Sequence, residues 1–363
     1  MKHHYYPSLD GLRTVAVGIV LAAHGGVTYF RSGGVGVDIF FVLSGFLITN
    51  ILISEWAAHA SISLRNFYVR RFLRLAPALF LTCAFFAAAI YSLDGRVPVM
   101  PIVTALTYTA NWARALFDSN LSWLTHCWSL AIEEQFYLIW PWLIIALERR
   151  VRDPFTKALL LLCGALVIAI YRAGLVGIYT DERINYGLDT RMDTLMFGAV
   201  LAYLTRGFAA TGGLSESASR WLGRVFAPGA LIVLFAIPQI VTWYSPWMGR
   251  FGYVIAATAS ALVIADLVLS RHSLLVAPLA TRPMVFIGKI SYGLYLLHLP
   301  VYFIVERLMP TAPLIARLSL KLAVSLVLAT LSFYFFEKYF LRLKSRFETP
   351  APARRLPAAA ASS

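Results

Sequence analysis

Charge is scarce in this chain. Only 14% of its 363 residues are Asp, Glu, Lys or Arg, well below the ~25% of an ordinary soluble domain. So few charges do not build a water-facing surface, and a 59% share of apolar residues points instead to a polytopic membrane protein. Cysteine is nearly missing. Cys83, Cys127 and Cys163 lie in or beside apolar stretches, show no metal-ligand spacing and suggest no disulfide framework. There is no P-loop, which leaves an ATP-driven pump unsupported, and no H-E-x-x-H or other metal spacing. No internal repeat is visible. No cleavable signal peptide is visible, and none is expected of the polar start MKHHYYPSLDGLR, which leads straight into a span. Acids are scarcer than bases, 18 against 32. In a soluble protein that excess would suggest nucleic acid, but here the positive-inside rule accounts for it.

What is present is long apolar segments. The pattern predicts an all-α bundle of about ten transmembrane helices, near 12–30, 35–53, 75–93, 127–147, 156–176, 192–206, 226–243, 248–269, 286–308 and 314–341. Segment 94–126 mixes Tyr, Trp, Asn and Asp with apolar residues and suits a re-entrant or interfacial hairpin better than a span. The basic groups Arg65–Arg74, Arg149–Lys157, Arg206–Arg224, Arg271–Lys289 and Lys338–Arg355 all fall on one side if both termini are cytoplasmic. Residues 1–347 read as one membrane domain, and the Pro/Ala-rich 348–363 as a disordered tail.

Ionisable side chains within spans are costly and tend to mark functional paths. Arg13 and His24 lie in the first span, eleven positions apart, so they share a helix face about 16 Å apart along the axis. That suits a long substrate with an anionic head and a reactive far end. His24 is a candidate general base, taking a proton from an acceptor hydroxyl as it attacks an acyl carbonyl; the competing reading is a structural histidine bonding a neighbouring helix. Asp38, behind a glycine-rich stretch, orients His24, binds a sugar hydroxyl, or simply caps its helix. Ser44 and Gly45 read as packing. Arg70, Arg71 and Arg74 form either a phosphate clamp or an inside anchor, with Arg70 and Arg74 on one face. In His126–Tyr137, the adjacent Glu133 and Glu134 are expensive unless paired or wet. Glu133 would polarise an imidazole or bind acceptor hydroxyls, with His126, Glu134 and Tyr137 beside it. Arg191 and Asp193 read as an intramembrane ion pair or a substrate contact. Tyr292, Tyr295 and His298 follow helical spacing as a polar stripe, or as interface anchors.

These blocks together resemble the acyltransferase family 3 membrane proteins. LDGLRTVAV with Arg13 and His24 is similar to the family's first-helix signature. GGVGVDIFFVLSGFLIT, YVRRFLRLAP, WSLAIEEQFYLIWP, RMDTLMFG, IGKISYGLYLLHLP and FEKYF resemble its later blocks in order, over nearly the whole chain. The resemblance implies an O-acyltransferase in the cytoplasmic (inner) membrane and a stand-alone type without a fused extracytoplasmic domain. It implies acyl-CoA, usually acetyl-CoA, as cytosolic donor, and a hydroxyl of a cell-surface polysaccharide or glycolipid as acceptor. On that footing Arg13, Arg70, Arg71 and Arg74 would hold the donor's phosphates. His24, Glu133 and Asp38 would carry the chemistry, and His126, Glu134, Tyr137, Arg191, Asp193, Tyr292 and His298 would meet the substrate. No metal is expected. The rival is a transporter or flippase, in which the same charges line a substrate path.

Overall fold

The computed structural model describes residues 5–30, 33–117 and 121–347. The expected tail 348–363 lies outside them. In chain order the helices are α1 (Pro7–His24), α2 (Gly34–His59), α3 (Leu64–Asp94), α4 (Val99–Leu106), α5 (Ala110–Phe117), α6 (Cys127–Arg150), α7 (Pro154–Leu175), α8 (Asp181–Tyr186), α9 (Leu188–Ala210), α10 (Glu216–Trp221), α11 (Ala227–Ile240), α12 (Tyr253–Leu269), α13 (Val276–Leu279), α14 (Arg282–Leu308), α15 (Leu314–Leu331) and α16 (Lys338–Lys344). Single π-turn segments join α10 to α11, precede α12, and join α15 to α16. No strand occurs among the described residues, and the protein is an all-α polytopic membrane protein.

Each of the ten expected spans corresponds to a long helical run. Eight of these are long and apolar enough to cross a bilayer. The remaining two are α1, with Asp10 and Arg13, and α9, with Asp189, Arg191 and Asp193. Both pack inside the bundle, α1 against α2 and α14, and α9 against α2 and α7, where protein can satisfy their charges.

The first helix is displaced from its expected 12–30. Pro7 opens it, since a proline at the first turn loses no hydrogen bond and already has a helical φ. It closes before Gly25 and Gly26, the latter at φ +84°. His24 is therefore the last residue of α1 and is exposed. It is not buried mid-span as the apolar pattern implied.

Within segment 94–126 the described residues form two eight-residue helices, α4 and α5, each too short to span, and a 3-10 turn at Ser122–Leu124. Gln135 of α6 holds the hairpin between them. Its Nε2 donates to the Tyr108 carbonyl (2.7 Å) and Asn111 Oδ1 (2.9 Å), and its Oε1 accepts from Trp112 Nε1 (3.1 Å).

In the centre, α2 and α9 touch backbone to backbone. A Cβ on Gly45 would sit 1.8 Å from the Leu195 carbonyl oxygen, and one on Gly198 would sit 2.0 Å from that of Val42. Only glycine permits this approach.

Candidate active site

Helices α1, α2, α3, α6 and α14 line a cavity of about 900 Å³, the open space at its mouth included. Its wall on α2 runs from Val37 to Ile51, about 21 Å of helix. Phe40, Leu47 and Ile48 keep that wall apolar.

Three guanidinium groups gather at one end, from Arg13, Arg71 and Arg74. Arg71 and Arg74 are one turn apart on α3 and share a face. Arg71 lies 4.0 Å over the Tyr137 ring. The Tyr137 hydroxyl donates to one oxygen of Glu133 (3.2 Å), and Ser44 donates to the other (3.1 Å). Glu133 is thus held on both oxygens at the cavity wall. Arg13 is partly offset by Asp10 at 3.9 Å. Among the described residues neither Arg71 nor Arg74 forms an ion pair, which leaves both available to an anionic ligand.

The other end closes on Ser129 and Tyr295, whose hydroxyls are 2.6 Å apart. The Tyr295 hydroxyl also donates to the His126 carbonyl at 3.0 Å. Behind this pair stand three imidazoles. The Tyr295 ring lies 5.3 Å from that of His126 and 5.5 Å from that of His298. His298 Nε2 is 3.1 Å from His24 Nδ1, and His298 Nδ1 donates to the Tyr295 carbonyl. His126 Nε2 donates to the Leu296 carbonyl at 3.0 Å. His24 is exposed, whereas His126 and His298 are buried. The three rings do not form a metal-ligand group.

This layout of guanidinium groups, apolar wall and histidines is carried by a chain whose residues 6–336 match the family model described as "Acyltransferase domain". The chain belongs to acyltransferase family 3. It is similar to the peptidoglycan O-acetyltransferase OatA of Listeria monocytogenes, 33% identical over 347 residues, which cover 92% of this chain and 55% of that protein. It is also similar to the putative peptidoglycan O-acetyltransferase YrhL of Bacillus subtilis, 33% identical over 93% of this chain and 55% of the relative. The O-acetyltransferase OatA of Staphylococcus aureus is 34% identical over 83% of this chain and 51% of its own length. The chain thus spans about half the length of these curated relatives. No solved structure matches it.

Within this family member the residues singled out by sequence separate into three places. Arg13, Arg71, Arg74, Glu133, Tyr137 and Tyr292 line the cavity. Tyr292 also crosslinks α14 to α3 through the Leu75 carbonyl at 2.9 Å. Glu134 lies beside Glu133 but does not line the cavity, and its buried Oε1 has no hydrogen-bond partner in the protein. Arg70 faces away, paired with Glu55 (3.0 Å) and the Phe347 carbonyl (2.7 Å). His24, His126 and His298 make the second place.

Asp38, Arg191 and Asp193 make the third. Asp38 is ion-paired with Arg191, and both are fully buried. Asp193 pairs with Arg172 at 2.6 Å. Arg172 also donates to the Thr190 carbonyl (2.7 Å) and to that of Gly249 (2.9 Å), the latter in the π turn before α12. Arg191 lies 3.5 Å over the Tyr253 ring. Asp38 is therefore engaged by Arg191, and the partner of His24 is His298.

Two contributors had no strong signal in the sequence. Ser44 read as packing, yet it donates to Glu133. Arg172 sat among apolar residues of α7 with nothing to mark its partner twenty-one positions on.

Proposed function

We propose that this chain is a membrane O-acetyltransferase of the cytoplasmic membrane, moving an acetyl group from acetyl-CoA to a hydroxyl of a cell-wall glycan. The observation that carries the reading is the cavity itself. It is long, apolar along one wall, ringed by Arg13, Arg71 and Arg74 at one end, and stopped at the other by Tyr295 in front of the His298–His24 pair. The relatives, which are peptidoglycan O-acetyltransferases by name, suggest the acetyl group and the peptidoglycan acceptor. The family supplies the acyl transfer.

In this reading both termini are cytosolic and residues 1–347 form the catalytic membrane unit. Guanidinium groups suit phosphates because they present a planar fork of donors. Arg13, Arg71 and Arg74 would hold the donor's phosphates, and Arg70 would anchor the chain near residue 347. The apolar wall suits the pantetheine arm, which points the thioester toward Tyr295. His24 acts as general base. It takes the proton of the acceptor hydroxyl as the new C–O bond forms and the C–S bond breaks, then returns that proton to the leaving thiolate. Glu133 holds the cavity wall through Ser44 and Tyr137.

The test uses the full chain in nanodiscs with labelled acetyl-CoA and glycan fragments, reading both free CoA and acetylated product. Wild type should form product, and His24→Ala should not while remaining folded. Normal product formation by His24→Ala would overturn the mechanism. Movement of glycan across the membrane without thioester turnover would return the transport reading.

A further inference from the structure

We infer that His298 is a positioning residue that sets which nitrogen of His24 carries the proton. The inference rests on His24 being the general base. A neutral imidazole has one N–H and one lone pair, and its tautomer follows from the hydrogen bonds around it. His298 Nδ1 faces the Tyr295 carbonyl. A carbonyl only accepts, so this nitrogen carries the hydrogen. The neutral ring then has its lone pair on Nε2.

That lone pair lies 3.1 Å from His24 Nδ1. His24 must therefore donate from Nδ1, which leaves its own lone pair on Nε2. A base is useful only when its free lone pair meets the hydroxyl, so this arrangement prepares His24 before substrate arrives. The orienting group is another imidazole rather than a carboxylate, which suits the burial of His298, since no charge is placed there while both rings are neutral.

His298 is itself fixed. It is buried, with the rings of His126 (5.1 Å), Tyr295 (5.5 Å) and Tyr302 (5.6 Å) around it. The neighbouring His126 donates from Nε2 to the Leu296 carbonyl and its Nδ1 meets no hydrogen-bond partner, so it is His298 that bonds His24 here.

Asparagine and glutamine separate the two nitrogens of His298. The Asn amide reaches the Nδ1 position, and the Gln amide reaches the Nε2 position. In the full chain, His298→Gln should retain most of kcat by accepting from His24. His298→Asn and His298→Ala should lose at least roughly tenfold in kcat, toward the ~10⁴-fold loss of a catalytic histidine in the wrong tautomer. KM for acetyl-CoA should stay unchanged in all three. The ¹⁵N shifts of His24 should show protonated Nδ1 in wild type and His298→Gln, and a tautomer mixture in His298→Asn. Asn matching or exceeding Gln, or an unaltered His24 spectrum in His298→Asn, would overturn the inference. Both amides fill the site, so the comparison survives if the Ala variant fails to fold. An active His24→Ala would instead overturn the base reading and leave the tautomer measurement standing.

Discussion

Asp38 and Arg191 give a prediction whose size follows from their burial. Both side chains are fully buried and paired with each other, beside the second pair, Arg172–Asp193. Two cations and two anions cancel. Asp38→Leu leaves two cations against one anion with no water to screen them. Breaking a buried pair from one side destabilises by about 3–5 kcal/mol, whereas replacing both partners with apolar groups is often neutral or better. Each single variant, Asp38→Leu or Arg191→Met, should therefore shift the folded-to-unfolded ratio by roughly two to four orders of magnitude. The double variant should recover most of that loss. Thermal unfolding followed by fluorescence-detected size exclusion in detergent would read this, alongside acetyl transfer per folded molecule. Transfer should return with stability, because the structure gives Asp38 to Arg191 and His24 to His298. The reasoning fails if both single variants fold like wild type yet lose transfer, and the double variant does not regain it. Asp38 would then act in the chemistry directly.

Other perturbations separate similar-looking residues. Gly45→Ala should strongly destabilise, since its Cβ would meet the Leu195 carbonyl, while Gly18→Ala, with nothing within 4 Å, should raise stability by up to about 1 kcal/mol through helix propensity; melting temperatures of the two would decide. Arg74→Ala should raise KM for acetyl-CoA by roughly 10- to 100-fold, the loss of a charge-assisted hydrogen bond worth ~1.5–3 kcal/mol. Arg70→Ala should leave KM unchanged and lower stability, and equal KM effects would remove the distinction. Asp153 caps α7, accepting from the Thr156 amide (2.6 Å) and hydroxyl (2.8 Å), and these bonds hold its carboxyl below the usual range. A depressed folded-state pKa contributes stability above the unfolded value, near ~3.9, and loses it as pH falls through the folded value. The melting difference between wild type and Asp153→Ala should therefore be flat from neutral to mildly acidic pH and shrink below about pH 4; a difference that grows with acid would contradict this.

The helices were legible because a span must be long and apolar, a demand that eight of the ten runs satisfy, while α1 and α9 carry charges that the bundle interior satisfies. Edges were less so. Apolar residues continue past Gly25, so hydropathy alone carried the first helix to residue 30, and only Pro7 and the Gly25–Gly26 stop signal mark its true limits. The arginine cluster shows the limit of spacing arguments. Arg70 and Arg74 share a face by the i, i+4 rule, as do Arg71 and Arg74 by i, i+3, and only the packing of α3 decides that the second pair faces the cavity. Long-range partners carry no local signal at all. His24 and His298 are 274 positions apart, and Asp38 and Arg191 are 153 apart. Arg191 read as the partner of nearby Asp193, and Asp38 as the partner of His24, whereas the bundle pairs Arg191 with Asp38 and Asp193 with Arg172.

The histidine chain also bears on electrical insulation. Histidines, like Asp and Glu, serve in proton relays through membranes, and any catalyst embedded in an energised membrane has to avoid discharging it. Here the row runs from exposed His24 to His298 and stops, because the last N–H of His298 points at the Tyr295 carbonyl, which has no proton to pass on. The hydroxyls of Tyr295 and Ser129 then fill the gap before the cavity. A proton that His24 takes from a reacting hydroxyl finds no onward path through His298, so the histidine row does not itself join the two aqueous phases.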